Sequence, residues 1–207
     1  MKMKKSKDMD FGSRAASYDD GIEGRASRRF YNLLLKEVEL RPGAAVLDVG
    51  CGTGALLKKF AGVCEINGYG IDIAENMIAE AKIKCPDMNL QVARCDNLPF
   101  ADDHFDVMTA CMAYHHYDNK EGFAIEAARV LKPGGVLYIA DPRFPWMIRK
   151  TMNGILRLIR IVGVFNTPRE IEISFRDKGF TGIGVAVDAY AQVVKLQKNG
   201  AAKERGV

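Results

Sequence analysis

A chain of 207 residues, 48% of them apolar, fits one domain with a buried core of ordinary size. The 30 basic and 26 acidic residues leave a net charge of only +4, in part from Lys2, Lys4, Lys5 and Lys7, so charge makes no case for a nucleic-acid partner. No apolar stretch follows those lysines and no segment has the uninterrupted length of a membrane span, which argues against a signal peptide or stable membrane insertion and predicts a cytoplasmic protein.

In chain order, residues 1–10 read as a disordered start and 11–40 as an N-terminal helical cap, with Phe30, Leu33, Leu34 and Val38 on one stripe. Arg41-Pro42-Gly43 turns the chain into a short apolar run at 46–49, which reads as a strand buried on both faces. It opens into Gly50-Cys51-Gly52-Thr53-Gly54, and helical spacing resumes at Ala55. Alternate glycines remove the Cβ atoms that keep a ligand off the backbone, and the loop sits at a helix N-terminus, so this is a nucleotide-type cradle. Gly50, Gly52 and Ala55 also satisfy a relaxed dinucleotide fingerprint. Asp48, just ahead of the loop, would repel a pyrophosphate and suits a ligand bearing an ammonium group.

Residues 68–73 read as a second strand that closes on Asp72, about 20 residues past the loop, where an acid accepts hydrogen bonds from vicinal ribose hydroxyls. Asp72-Ile73-Ala74-Glu75 equally fits a capping-box start for the following helix. A third strand at 90–96 closes on Asp96, which suits an adenine amino group, with Ile73 and Leu98 as the sides of a slot for the ring; Asp96-Asn97 also fits a plain turn. His104 falls in a polar turn. Residues 105–111 form a buried strand, and Met112 to Asp118 follow its carboxyl end, the edge at which open α/β sheets bind ligands. Of Tyr114, His115 and His116 in that stretch, His116 is the leading candidate to touch an acceptor. One of two adjacent histidines normally faces away and only shapes the loop.

A helix at 123–130, a turn at Lys132-Pro133-Gly134-Gly135 and a fifth strand at 136–141 come next. The stretch 143–166 is too long for a simple connection. Ile148, Met152, Ile155, Ile159 and Val162 recur there at three- and four-residue steps, with Arg149, Lys150, Asn153, Arg157 and Arg160 elsewhere, giving a basic amphipathic helix. It is read as a lid insertion over the acceptor, with core packing and peripheral contact with an anionic membrane as alternatives. Thr167-Pro168-Arg169-Glu170 is a capped helix start, Gly179 ends that helix, and 182–187 and 190–196 form an antiparallel pair of edge strands. Residues 199–207 are a polar tail. Cys51, Cys64, Cys85, Cys95 and Cys111 lack a C-x-x-C spacing and read as reduced, and the three histidines lack metal-ligand spacing, so no metal is expected.

The run from Val46 to Leu56 resembles the first motif of the class I S-adenosylmethionine-dependent methyltransferases. Tyr18-Asp19, Pro99-Phe100, Phe105-Asp106-Val107 and Leu131-Lys132-Pro133-Gly134-Gly135 match later or flanking segments of that family in order. The likeness covers nearly the whole chain and is closest to the small-molecule group that includes quinone-biosynthesis enzymes. It implies a single α/β domain with a doubly wound, Rossmann-like, seven-stranded mixed sheet, six strands parallel and one antiparallel. It also implies S-adenosyl-L-methionine as cofactor, S-adenosyl-L-homocysteine as product and a small-molecule methyl acceptor. The cofactor residues it implies are Tyr18 over the methionine end, Asp48, Gly50, Cys51, Gly52, Gly54, Asp72, Ile73, Asp96, Asn97, Leu98 and Cys111, with Tyr114, His115 and His116 at the acceptor. A noncatalytic protein that binds the same cofactor and an NAD-linked oxidoreductase are the competing readings.

Overall fold

The computed structural model describes residues 15–158 and 163–200. The expected disordered start, Ile159, Arg160 and Val162 of the amphipathic stretch, and most of the polar tail lie outside the described residues. Seven strands form one sheet: β1 (Ala44–Val49), β2 (Ile66–Asp72), β3 (Asn89–Val92), β4 (Phe105–Cys111), β5 (Leu131–Pro142), β6 (Phe180–Asp188) and β7 (Ala191–Lys198). Their order is β3-β2-β1-β4-β5-β7-β6. β7 alone runs against its neighbours, so the expectation of six parallel strands and one antiparallel holds.

The helices are α1 (Ile22–Glu37), α2 (Ala55–Ala61), α3 (Glu75–Lys84), α4 (Lys120–Val130), α5 (Trp146–Leu158) and α6 (Pro168–Arg176). Side chains alternate across a strand, and β1 shows what this does. Ala44 and Val46 join Phe30, Leu34, Leu57 and Phe60 of α1 and α2 on one face. Leu47 and Val49 join Phe123, Ala127, Ile171 and Phe175 of α4 and α6 on the other. A strand buried on both faces must be apolar throughout, and β1 is apolar until Asp48.

Four local expectations change. The third strand stops at Val92, because its partner β2 ends at Asp72, opposite Val92, and an edge strand has no second neighbour to carry it further. The Pro-Gly-Gly turn is a bulge inside β5: Leu131 pairs with Phe105 and Val136 with Val107, so the turn residues loop out. The cap helix α1 lies on the sheet against β5, β7 and β6, and what rests near the glycine loop is the 3₁₀ turn Ala15–Asp20. Finally, of the readings of α5, the core-packing alternative does not hold: Ile148 and Ile155 are half exposed, and the side turned to the domain carries Arg149 and Asn153.

Candidate functional site at the carboxyl edge of the sheet

The strand order reverses between β1 and β4, and the crevice outside their carboxyl ends is where such sheets hold ligands. Two hollows of about 360 and about 500 Å³ open at the opposite end of the sheet and carry none of the predicted residues. The site therefore rests on the β1, β2, β4 and β5 termini.

The glycine loop is held open by its backbone. Gly50 and Gly52 have φ of +74° and +51°, a region that side chains disfavour. At Gly50 the crowding is local, since a Cβ would lie 2.6 Å from that of Ala113. At Gly52 a Cβ would meet nothing within 4 Å and would project into open space. The N–H groups of Gly50 and Cys51 both donate to the Ile71 carbonyl, and Tyr117 Oη donates to the Val49 carbonyl at 2.8 Å.

Asp48, at the end of β1, is buried and accepts a 2.6 Å hydrogen bond from Thr109 Oγ1, its registered neighbour on β4. Burial pushes its carboxyl up to about 7, the nearby Asp72 adds to the rise and the Thr109 hydrogen bond opposes it. Cys51 and Cys111 are buried, and desolvation raises both thiols well above the usual range, so neither is a thiolate nucleophile.

Asp72 is not the N-cap of α3; that position belongs to Ala74, which has no side chain to cap with. Its carboxylate accepts from the Gly52 N–H and from the Ala74 N–H, both at 2.9 Å, and so ties the glycine loop to the turn after β2. Ile73 stands exposed beside it. Tyr18 packs against the cluster of Ala15, Ala74 and Met77. Its neighbour Asp19 accepts a 2.8 Å bond from the buried Thr53 hydroxyl of the loop and pairs with Lys84 at the end of α3. Tyr18-Asp19 stood out in the sequence only as a family match; that Asp19 meets Thr53 and Lys84, 34 and 65 positions away, had no signal there.

On the β3 side, Arg94 grips Asp96 at 2.9 and 3.2 Å, and Asn119 donates to the same carboxylate at 3.0 Å. The Arg94 guanidinium holds Asp96 below the usual carboxylate range. Asn97 is exposed and closes the turn through its N–H to Arg94. Leu98, expected as one side of the adenine slot, is a core residue: its side chain is buried with Phe105 and Phe123, and its backbone is held by Glu126 and Arg129.

After β4 the chain makes a 3₁₀ turn at Tyr114–His116, and 120° steps in such a turn send the three side chains in different directions. Tyr114, expected at the acceptor, points into the core: it is 1% exposed, its hydroxyl lies 3.2 Å from Ser174 Oγ, and burial raises it. His116, the leading candidate on sequence, is exposed. His115 is buried, and its Nδ1 lies 2.8 Å from Oδ1 of Asp141 at the end of β5. Its ring stacks on Phe165 at 5.0 Å and lies 3.9 Å from His116.

Asp141 and Gln192 face each other across β5 and β7. Both are buried, and Asp141 Oδ2 and Gln192 Oε1 have no hydrogen-bond partner among the described residues. Lys120 closes this corner, donating to the Val164 carbonyl and to Asn166 Oδ1, and burial pushes it down to about 8. Sequence reasoning gave Asp141 no role, although β5 ends on a carboxylate just as β2 does.

A sequence profile for a methyltransferase domain matches residues 47–139, from β1 to β5. The chain is 34% identical over 142 residues to a ubiquinone/menaquinone biosynthesis C-methyltransferase UbiE of Ectopseudomonas mendocina, covering 63% of this chain and 56% of that one. It is 34% identical over 165 residues to the protein of the same description from Geotalea daltonii, covering 74% and 68%. The chain thus spans little more than half to two thirds of the length of these relatives. Among solved structures, a chain of the complex between the Haloferax volcanii Trm112 methyltransferase activator and a methyltransferase aligns with a TM-score of 0.79 at 22% identity, covering 91% of this chain and 97% of that one; this bears on the fold alone. The Geotalea daltonii relative, at 34% identity over 68% of its length, together with the methyltransferase-domain match, shows the family: the chain belongs to the class I S-adenosylmethionine-dependent methyltransferase family.

Proposed function

We propose that the chain transfers the methyl group of S-adenosylmethionine to a small-molecule nucleophile, releasing S-adenosylhomocysteine. The observation that carries this reading is the meeting, at one sheet edge, of an open glycine loop, the buried carboxylate of Asp48 and the His115–Asp141 pair. The residues fit the cofactor. Space over Gly52 admits a ligand against the backbone, and Asp48, costly to ionise when buried, gains a counter-charge from the ligand's ammonium group. In this reading Asp72 and Ile73 border the ribose, Asp96 and Asn97 the adenine edge, and Tyr18 the methionine end, with Gly50, Cys51, Gly54 and Cys111 forming the wall.

When bound, the cofactor supplies a sulfonium methyl that is already activated, so the chain chiefly has to align the acceptor with it. Positioning contributes up to about 7–11 kcal/mol, while a general base adds roughly 10²- to 10⁴-fold. His115 is the base of this reading. Its Nδ1–H is held by Asp141, which leaves Nε2 to take the acceptor's proton as the new bond forms. Asp141 is a positioning residue.

The test is transfer of a tritiated methyl group to a panel of quinols, phenols, amines and thiols. An acceptor that is labelled, with turnover reduced about 10²-fold or more in His115→Gln and partly in Asp141→Asn at unchanged cofactor affinity, supports it. Tight cofactor binding with no methyl transfer to any of them would favour the noncatalytic reading. Wild-type turnover in His115→Gln, with a loss in His116→Ala, would move the role to the exposed ring.

A further inference from the structure

Helix α5 is mounted in reverse. A surface helix ordinarily buries its apolar stripe and gives its polar side to water. Here the polar side is docked: Arg149 bonds both oxygens of Glu170 on α6 at 2.9 and 3.1 Å, and Asn153 exchanges two 3.0 Å hydrogen bonds with the Phe165 backbone. The apolar side faces out, with Met147 64%, Ile155 52% and Leu158 82% exposed, and Trp146 is 67% exposed at the helix start. Side chains of this size left in water imply a partner surface.

Charge identifies the partner. From Arg143 to Asn166 the sequence holds Arg143, Arg149, Lys150, Arg157 and Arg160 and not one acidic residue. Arg143 and Lys150 are exposed, beside the outward apolar residues. A second copy docked face to face would set Arg143 and Lys150 against their own copies, with no acid in the stretch to pair them. A bilayer with anionic headgroups meets both halves of the pattern, with acyl chains for the apolar side and phosphates for the flanking cations. Among the described residues no helix is long and apolar enough to cross a membrane, so the helix would lie in the interface plane. We propose that α5 docks the domain on anionic membrane surfaces, with Met147, Ile155 and Leu158 entering the headgroup boundary and Arg143 and Lys150 on lipid phosphates. The helix begins just after β5, so docking sets the carboxyl edge of the sheet toward the bilayer. This inference stands apart from the methyl-transfer reading, and its test reads no activity.

Trp146 is the only tryptophan in the chain, which makes its fluorescence a direct report on this helix. The full chain is titrated with vesicles of mixed phosphatidylcholine and phosphatidylglycerol, and in parallel with vesicles of phosphatidylcholine alone. The expected result is a blue shift on the anionic vesicles, weakened by added salt, and little change on the neutral ones. In the double variant Met147→Glu, Leu158→Glu, partitioning should fall about tenfold or more while circular dichroism and the melting temperature hold, since both side chains face water. No shift on anionic vesicles, an equal shift on neutral ones, or undiminished binding by the double variant would each overturn the proposal. A blue shift that grows with protein concentration without vesicles would overturn it too, and assign the face to self-association.

Discussion

Asp48 shows how burial alone gives a residue a pH dependence. With its carboxyl pushed up to about 7 in the fold, against an ordinary value near 4, the native chain holds a proton that the unfolded chain has released. The stability this gives is full below about pH 4 and is lost as pH rises through about 7. Asp48→Asn, which cannot ionise, should therefore raise the melting temperature of the ligand-free chain above neutrality, by on the order of 5 °C. Cofactor binding should run the other way, because an ammonium group favours the ionised form. Between about pH 6 and about pH 8 the ionised fraction goes from roughly a tenth to roughly nine tenths, so affinity for S-adenosylhomocysteine should rise about tenfold and stay flat in Asp48→Asn. Calorimetric titration across that range checks both. The sequence set Asp48 at the end of the first strand because it interrupts an apolar run, and it ranked His116 ahead of His115. The proposed preference for His115 rests instead on its contact with Asp141, 26 positions away, and on the direction each ring takes from a 3₁₀ turn.

The glycine loop is an element kept in shape by its neighbours. Asp72 holds it from β2, Tyr117 from the turn after β4, and Asp19 from the N-terminal turn through Thr53. Asp19→Ala leaves a buried hydroxyl without its acceptor and frees Lys84, a loss of about 1–3 kcal/mol for an unmade buried bond. Amide hydrogen exchange in residues 51–56 should quicken and cofactor affinity should fall several-fold. Thr167→Ala, which removes the capping box of α6, should cost about 1 kcal/mol of stability with no change in cofactor affinity. If both variants acted only on melting temperature, the Asp19 contact would be ordinary packing. Local chemistry made α6 legible in advance, since its cap lies within four residues. α5 was legible as an amphipathic helix, but its three readings stayed open, because hydrophobic spacing reports a face and not what that face meets.

At the scale of the whole molecule, alternating strands and helices with one capped helix before two turn-bounded strands were enough to anticipate the parallel core and the antiparallel edge pair. That one strand of seven runs against the rest followed from family resemblance, while the insertion of β7 between β5 and β6 was not anticipated, since pairing partners far apart in the chain leave no local trace. The same holds for the site. The carboxylates that close β1 and β2 were visible as acids ending apolar runs, whereas the partners that orient Asp96, Arg94 beside it and Asn119 further along the chain, and the packing of Leu98 into the core appear only in the fold. The central claim is that the carboxyl edge of β1 and β2 binds the cofactor, and titration calorimetry of S-adenosylhomocysteine into wild type and Asp72→Ala, above the Asp48 transition, tests it most directly. One site per chain is expected, weakened in Asp72→Ala by roughly 1.5–3 kcal/mol, the range for hydrogen bonds to a charged group. Absence of binding by the folded wild type, or equal affinity in Asp72→Ala, would contradict it.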